Sequence, residues 1–456
     1  MAALTLATTV ISCDDDNKYE YHTNNDCAIT AATMGTLVRS IQRKDSIGRD
    51  TTIYVSVTGS LYPMSIDQER NLIYNVDSLP VGTDIRKVTF STINSLGALS
   101  IRSLQTGNDT IFSTADSTDF SVPRTFTVHS SDGISKRNYL MTVNVHKESA
   151  DSMVWHKVAK NTAAFQHLQN TRSFAVDGKL LLFGYNEGIS QILTADAEAY
   201  NDGGTAQWIT ANTQPAVRPQ SIVRYEDAFY AIGTEGKLLS SSDGTSWESV
   251  NTEFTATTLV AAGSQHLVAL KDGKFYSSTD ALTWTLDKSD MPEYLPETVA
   301  TGVRIPSNID KNFETLVVVG TNQGKNVVWK REIDLTGAET YPWVYIPESL
   351  SSQYNIPNIQ QVTLNIYDGV TLMSGLTADN QLAPLYMSRD NGRTWKTNII
   401  KTPQGQANNA LAVTVDKDNF IWMFCGNSGE VWRGRINRLG WDLPQGSFER
   451  SVHLER

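Results

Sequence analysis

The chain has 456 residues, of which 19% are charged and 40% hydrophobic, with a formal net charge of −11. That length suits two or three domains, each able to bury a core. An acidic balance without a basic stripe excludes the footprint of phosphate-backbone binding, so no nucleic acid partner is expected, and no apolar run is long enough for a transmembrane helix.

The first segment, 1–13, ends in "LTLATTVISC". Val10-Ile11-Ser12-Cys13 resembles the lipobox of bacterial lipoproteins: an apolar stretch, a small residue before the cut, then a thiol to carry lipid. Cys13 is the expected lipid-attachment residue. Met1 to Ser12 depart from the pattern in holding no Lys or Arg. Residues 14–26 read as an acidic, flexible tether. An acidic run directly after the lipidated cysteine resembles the surface-export signal of Bacteroidetes lipoproteins. The expected location is the bacterial outer membrane, surface-exposed and held through the lipid anchor only.

Residues 27–147 carry short alternating segments: "TTIYVSVTG" (51–59), "KVTFSTI" (87–93), "ALSIRSL" (98–104) and "DTIFSTA" (109–115). "RTFTVHSSDGISKRNYLMTVNVH" (124–146) reads as a hairpin with an Asp-Gly turn, Phe126 and Val128 facing one way. The spacing predicts an antiparallel immunoglobulin-like β-sandwich without the disulfide-and-Trp pin. "ITAATMGTLVRSI" (29–41) has weak helical periodicity, but its β-branched content leaves a strand open. Cys27 and Cys425 lack CxxC neighbours, and a disulfide between them stays open; Cys425, in "FIWMFCG", reads as a buried small hydrophobe.

All ten tryptophans lie at or after Trp155, and the polar "HKESADSM" (146–153) marks a boundary near 150. From 153 to 445 the chain repeats. Trp155, Trp208, Trp247, Trp284, Trp343, Trp395 and Trp441 each precede a short strand, 37 to 59 residues apart. Between them recur three-strand sets, as in "SIVRYEDAFYAIGTEGKLLSSSD" (221–243). Four strands per 40–50 residues is the period of a β-propeller blade. Six sets predict six blades, with seven as the alternative, and the strand at Trp155 is the candidate to close the ring. The fold class is thus all-β, a sandwich followed by a propeller, with 446–456 as a C-terminal tail.

Residues 388–395, "SRDNGRTW", match the Asp-box pattern at Ser388, Asp390, Gly392, Thr394 and Trp395. Shorter relatives are Ser241, Asp243 and Trp247, and Ser278, Asp280 and Trp284. The expected chemistry is structural: Asp accepts backbone N–H groups of its own turn, and Trp packs between blades.

No catalytic residue is assigned. Sialidases share Asp boxes, but their arginine triad cannot be assembled here, and "VRIP" (303–306) follows two of the three boxes. The seven histidines lack HExxH-type spacing, so no metal and no cofactor is expected. Loops entering each blade ("QHLQNTR", "QPAVRPQ", "MPEYLPETVATGVRIP", "SSQYNIPNIQQ", "PQGQANN") are rich in amides, Tyr and Arg, which suits neutral sugar hydroxyls and rings. Arg172, Arg218, Tyr294 and Tyr354 are the candidate ligand-binding residues.

Together with "IYNVDSLPVGTDI" (73–85) and "FSVPRTFTVHSSDG" (120–133), these features resemble a family of Bacteroidetes envelope lipoproteins of unknown function that join an immunoglobulin-like domain to an Asp-box propeller. The resemblance implies a non-enzymatic binding protein offering its funnel to glycan or to another envelope protein. The alternatives are a glycan-active hydrolase and a protein-interaction scaffold.

Overall fold

The computed structural model describes residues 25–441, apart from 298–299, 350–352, 398–399 and 405–409. The segment with Cys13, residues 14–24 of the tether and the tail 446–456 lie outside the described residues. The described chain is all-β, its helical turns being short 3-10 pieces. It divides into two compact units between Ser149 and Ala150.

The first unit holds a six-stranded sheet and two strand pairs. The sheet order is Met64–Asp67, Leu72–Asn75, Lys136–Thr142, Arg124–His129, Ala98–Arg102 and Asp109–Ile111. The hairpin around Asp132-Gly133 forms as read, placing Phe126 opposite Tyr139, both fully buried. Residues 29–41 are strands, Ile29–Met34 pairing with Phe90–Ser95 and Thr36–Lys44 with Asp50–Thr58. Ile29, Met34 and Leu37 are buried, so packing of the apolar positions outweighs the weak helical period. The antiparallel expectation needs one correction. Leu72–Asn75 runs parallel to Lys136–Thr142. These strands are joined by a long excursion rather than a hairpin, and only a hairpin forces antiparallel pairing.

The second unit is a β-propeller built from six sheets among the described residues. Their inner strands are Gln169–Val176, Val223–Tyr225, Thr258–Ala262, Ala300–Pro306, Gln360–Tyr367 and Leu411–Val415. Each packs beside the next, the first meeting the second through the Pro219–Ser221 turn, and the sixth returns to the first. The strand of Trp155, Met153–Ala159, pairs with Glu430–Ile436 as the outer strand of the sixth sheet, so the start of the unit completes its end.

Hydrophobic clusters lie between successive sheets. Phe183 and Ile192 of the first sheet meet Phe229, Leu239 and Trp247 of the second, and Leu180 and Leu182 meet Trp422 and Phe424 of the sixth. With both faces covered, middle strands read as continuous apolar runs such as "LLLF" (180–183) and "IWMFC" (421–425), all buried. Tight turns join the strands where Asp177-Gly178, Asp272-Gly273 and Asp368-Gly369 hold positive φ at both positions, the demand of a type I′ turn. Cys27 and Cys425 are free thiols in separate units, and burial pushes the Cys425 thiol up to about 12.

Candidate functional site

Strand register separates the two ends of the ring. Gln169 pairs with Tyr185, Ala300 with Gly320 and Gln360 with Leu376. The starts of these inner strands therefore lie beside the turns that join second and third strands, and this end is the mouth. Ser388 pairs with Thr371, next to the turn at Asp368-Gly369. The Ser-x-Asp turn of that sheet lies at the opposite end.

The three Ser-x-Asp turns satisfy themselves. Asp390 accepts from the Thr394 N–H at 2.8 Å, the Thr394 hydroxyl at 2.7 Å and the Ser388 hydroxyl at 2.9 Å. Asp243 accepts from the N–H groups of Thr245 and Ser246, and Asp280 from those of Leu282 and Thr283. Each Trp indole donates back to its own turn, Trp247 to Gly244, Trp284 to Ala281 and Trp395 to Gly392. Gly392 has φ +90°, and a Cβ there would meet Val328 Cγ1 at 2.7 Å, so only glycine fits. With each carboxylate held by N–H and O–H groups of its own turn, these residues have a structural role. Asp390→Ala is expected to lower stability by about 1–2 kcal/mol, a few °C in Tm, and to leave any binding at the mouth intact. Thermal melts with and without ligand check this.

Acid should act through the same groups. The Thr283 and Leu282 N–H groups hold Asp280 down to about 2 against the desolvation that opposes them. In Asp243 and Asp390 burial works upward, but the hydrogen bonds outweigh it and both sit below the usual 3.8. A carboxyl depressed by folding adds stability above its unfolded pKa and loses it as pH falls through its folded one. Tm is therefore expected to drop between about pH 4 and pH 2, and Asp280→Asn should flatten part of that drop.

At the mouth lies a cavity of about 390 Å³ whose lining includes Asn170, Gln220, Thr301, Asn326, Asn358, Gln360 and Gln361. The first, fourth and fifth sheets and the Pro219–Ser221 turn ahead of the second supply it, and its described lining holds no charged residue. Some amides are structural: Asn326 donates to the carbonyls of Pro357 and Ile359, and Gln361 accepts from the Leu411 N–H. Asn170, Gln220 and Gln360 are exposed and make no side-chain hydrogen bond among the described residues. Asn170 and Gln361 have φ of 52° and 49°, and each sits where strand register shifts, between Gln169 and Arg172 and between Gln360 and Thr363. Such bulges re-aim side chains and store backbone strain, commonly beside ligand sites.

Arg172 crosses the ring. It rises from the first sheet, and its Nη1 donates to Thr301 Oγ1 of the fourth sheet at 3.0 Å. Thr301 lines the mouth cavity. The guanidinium also lies over the Phe174 ring at 5.6 Å. It has no carboxylate partner among the described residues, and its Nε is buried without an acceptor. An orphaned buried donor costs about 1–3 kcal/mol. Burial lowers the Arg172 pKa to about 10, with no acidic neighbour to offset it, so the side chain stays cationic at neutral pH.

Of the other candidates, Arg218 belongs to the mouth end but is engaged: it donates to the carbonyls of Thr257 and Thr234 at 2.9 and 3.1 Å. Tyr294 stacks on Tyr345 at 4.6 Å and Tyr354 packs beneath Lys396, so neither lines the cavity. Asn170, Gln220 and Gln360 were within the loops singled out in the sequence, but nothing local distinguishes a free amide from an engaged one. "VRIP" places Arg304 on an inner strand, exposed, against the buried Glu314 at 3.5 Å.

Three other cavities are less suited. One of about 420 Å³ holds Asp287, Arg331 and His266, but Asp287 is engaged by Arg331, Ser277 and Trp343. One of about 640 Å³ lies on the outer wall, where Trp208 donates to Tyr200 and Lys157 pairs with Glu430. The acidic hollow of Asp177, Glu198, Asp416 and Asp418 measures about 50 Å³, room for one or two waters. Among the described residues no group of three or more His, Cys, Asp or Glu could hold a metal, and no helix is long and apolar enough to cross a membrane.

Solved structures resemble the chain only distantly. A protein of unknown function from Bacteroides thetaiotaomicron is 10% identical with a TM-score of 0.41, covering 82% of this chain and 98% of its own. The WD40 domain of Toxoplasma gondii coronin is 9% identical with a TM-score of 0.34, over 63% and 86% of the two chains. An endo-arabinase from Bacteroides thetaiotaomicron is 12% identical with a TM-score of 0.28, over 53% and 96%. Likenesses this distant say nothing of chemistry. No curated protein sequence matches the chain. Family models match both units: residues 32–143 fit the N-terminal domain of DUF6242, a domain of unknown function, and residues 149–444 fit the DUF6242 beta propeller domain. With sheets, closure and both matches in accord, the chain belongs to the DUF6242 family.

Proposed function

We propose that this protein is a non-enzymatic glycan-binding lipoprotein of the bacterial outer membrane, anchored through Cys13 and exposed at the surface. In this reading an immunoglobulin-like first unit spaces a six-bladed, Asp-box propeller from the membrane, and the mouth binds the ligand. The observation that carries it is the neutral, amide-lined cavity with Asn170, Gln220 and Gln360 free to bond. An amide offers donors and an acceptor together, which suits hydroxyl groups that need both. A glycosidase of the usual kind needs two carboxylates flanking the scissile bond, and the described lining has no Asp or Glu.

The test is a glycan array probed with the chain from residue 26 onward. Binding that Gln220→Ala and Gln360→Ala weaken without a change in Tm supports the reading. Silence on every glycan, or release of 4-methylumbelliferone from glycoside probes, overturns it. Protease treatment of intact cells tests the location, and full protection of the chain would rule out surface exposure.

A further inference from the structure

The mouth joins two features that neutral-sugar binding leaves unexplained together: a lining free of charge, and behind it the cation of Arg172, bonded to the lining residue Thr301. Arg172 is positioned rather than loose. Thr301 holds one end from across the ring, and Phe174 supports the guanidinium from its own strand. What the site lacks is an anion. Nε is buried and unpaired, Nη2 has no hydrogen-bond partner among the described residues, and no carboxylate neighbours the group. Arginines removed from bulk water are ordinarily paired. Arg331 has Asp287, and Arg438 has Asp368 and Asp151, whereas the buried Arg39 and Arg124 reach backbone carbonyls. Arg218, near the same mouth, reaches two carbonyls instead. Arg172 makes one hydrogen bond, to a lining residue of an open cavity that contributes no charge of its own.

We infer that the mouth receives a saccharide carrying one anionic group, a carboxylate or a sulfate, which docks on Arg172. This deepens the glycan reading above and rests on it. The anion supplies the missing counter-charge, and the guanidinium offers it charge-assisted hydrogen bonds. The free amides of Asn170, Gln220 and Gln360 surround the approach and engage the hydroxyls. A single cation admits a single anionic group. A polyanion would bring further charges against a lining that has nothing to neutralise them, so sparsely charged saccharides are selected.

The experiment is an array of hexuronate-containing and sulfated oligosaccharides. Each stands beside its neutral parent, methyl-esterified or desulfated, and peptides with free or amidated C-termini are included. The expected result is binding to an acidic saccharide that weakens about tenfold or more in the neutral parent. The hexuronate and sulfate arms tell which anion is taken. Arg172→Gln should abolish the acidic preference, while Arg172→Lys, which keeps the cation, should retain part of it. Should Arg172→Gln fail to fold, the wild-type protein suffices: affinity for the acidic ligand must fall with rising NaCl while that for the neutral parent holds. Equal binding of acidic and neutral partners, or a preference that survives Arg172→Gln, overturns the anion site and leaves the glycan reading standing. Binding confined to free peptide C-termini, or to nothing on the array, overturns both.

Discussion

Arg438→Ala is expected to lower stability by about 3–5 kcal/mol, because it strands a buried carboxylate. Arg438 donates from Nη1 and Nη2 to both oxygens of Asp368, at 2.9 and 2.5 Å, and from Nε to Asp151 at 3.0 Å. The Arg438 and Asp368 side chains are each only 6% exposed, whereas Asp151 is 40% exposed. The three residues hold together three separate pieces of the ring. Asp368 sits in the tight turn of the fifth sheet, Asp151 precedes the closing strand, and Arg438 follows the strand that receives it. Without the guanidinium, Asp368 would stay buried against no cation, and the closing strand would lose its clasp. The fall in Tm should be roughly 10 °C. Asp151→Ala removes only a partly solvated partner and should cost under about 1 kcal/mol. Arg438→Met combined with Asp368→Leu should recover most of the loss, since an apolar pair of similar volume replaces a buried ion pair with little penalty. Urea unfolding of the three variants checks this. Equal losses from Asp151→Ala and Arg438→Ala would show that the Asp368 pairing is not the source of the effect.

Asp287→Ala is expected to cost about 3–5 kcal/mol as well, with the sign of the stranded charge reversed. Asp287 Oδ2 receives Arg331 at 2.8 Å and the Trp343 indole at 2.9 Å, and Oδ1 receives the Ser277 hydroxyl at 2.6 Å. Arg331 is 7% exposed and Trp343 is fully buried, so neither can turn to water. Asp287→Asn keeps an acceptor for Trp343 and loses only the charge, so its cost should be the smaller of the two. His266 supplies an independent readout. Burial holds its pKa below the usual range, Arg331 lowers it further, and Asp287 raises it. Removing Asp287 should therefore push His266 lower still, a shift readable by NMR titration. An unmoved His266 would place Asp287 outside its electrostatic reach.

The local devices of the fold were legible because their physics is contained within a few residues. Ser388 to Trp395 forms a closed set of hydrogen bonds, and Asp-Gly pairs such as Asp177-Gly178 demand a tight turn wherever they occur. The fully buried middle strands announce themselves as unbroken apolar runs for the same reason, since each sheet is covered on both faces. One feature escaped: the parallel pairing of Leu72–Asn75. It depends on which distant segment arrives alongside, and hydrophobic periodicity is silent on that; the Trp155 strand, a candidate to close the ring, does pair with the sixth sheet.

The site divides along the same line. The amino-acid sequence by itself determined an all-β chain of two parts with a repeating second part; it offered the Ser-x-Asp turns as structural and the entering loops as candidates for a ligand site. Arg172 was already marked as a candidate from its loop. Only the tertiary structure decided that Arg172 makes a single hydrogen bond, to a residue of the mouth lining, while Arg218 spans two carbonyls, and that Tyr294 and Tyr354 stand apart from the mouth. The reason is physical. Whether an arginine is free depends on the partners that folding delivers to it, and for Arg172 the one partner that arrives, Thr301, comes from the far side of the ring.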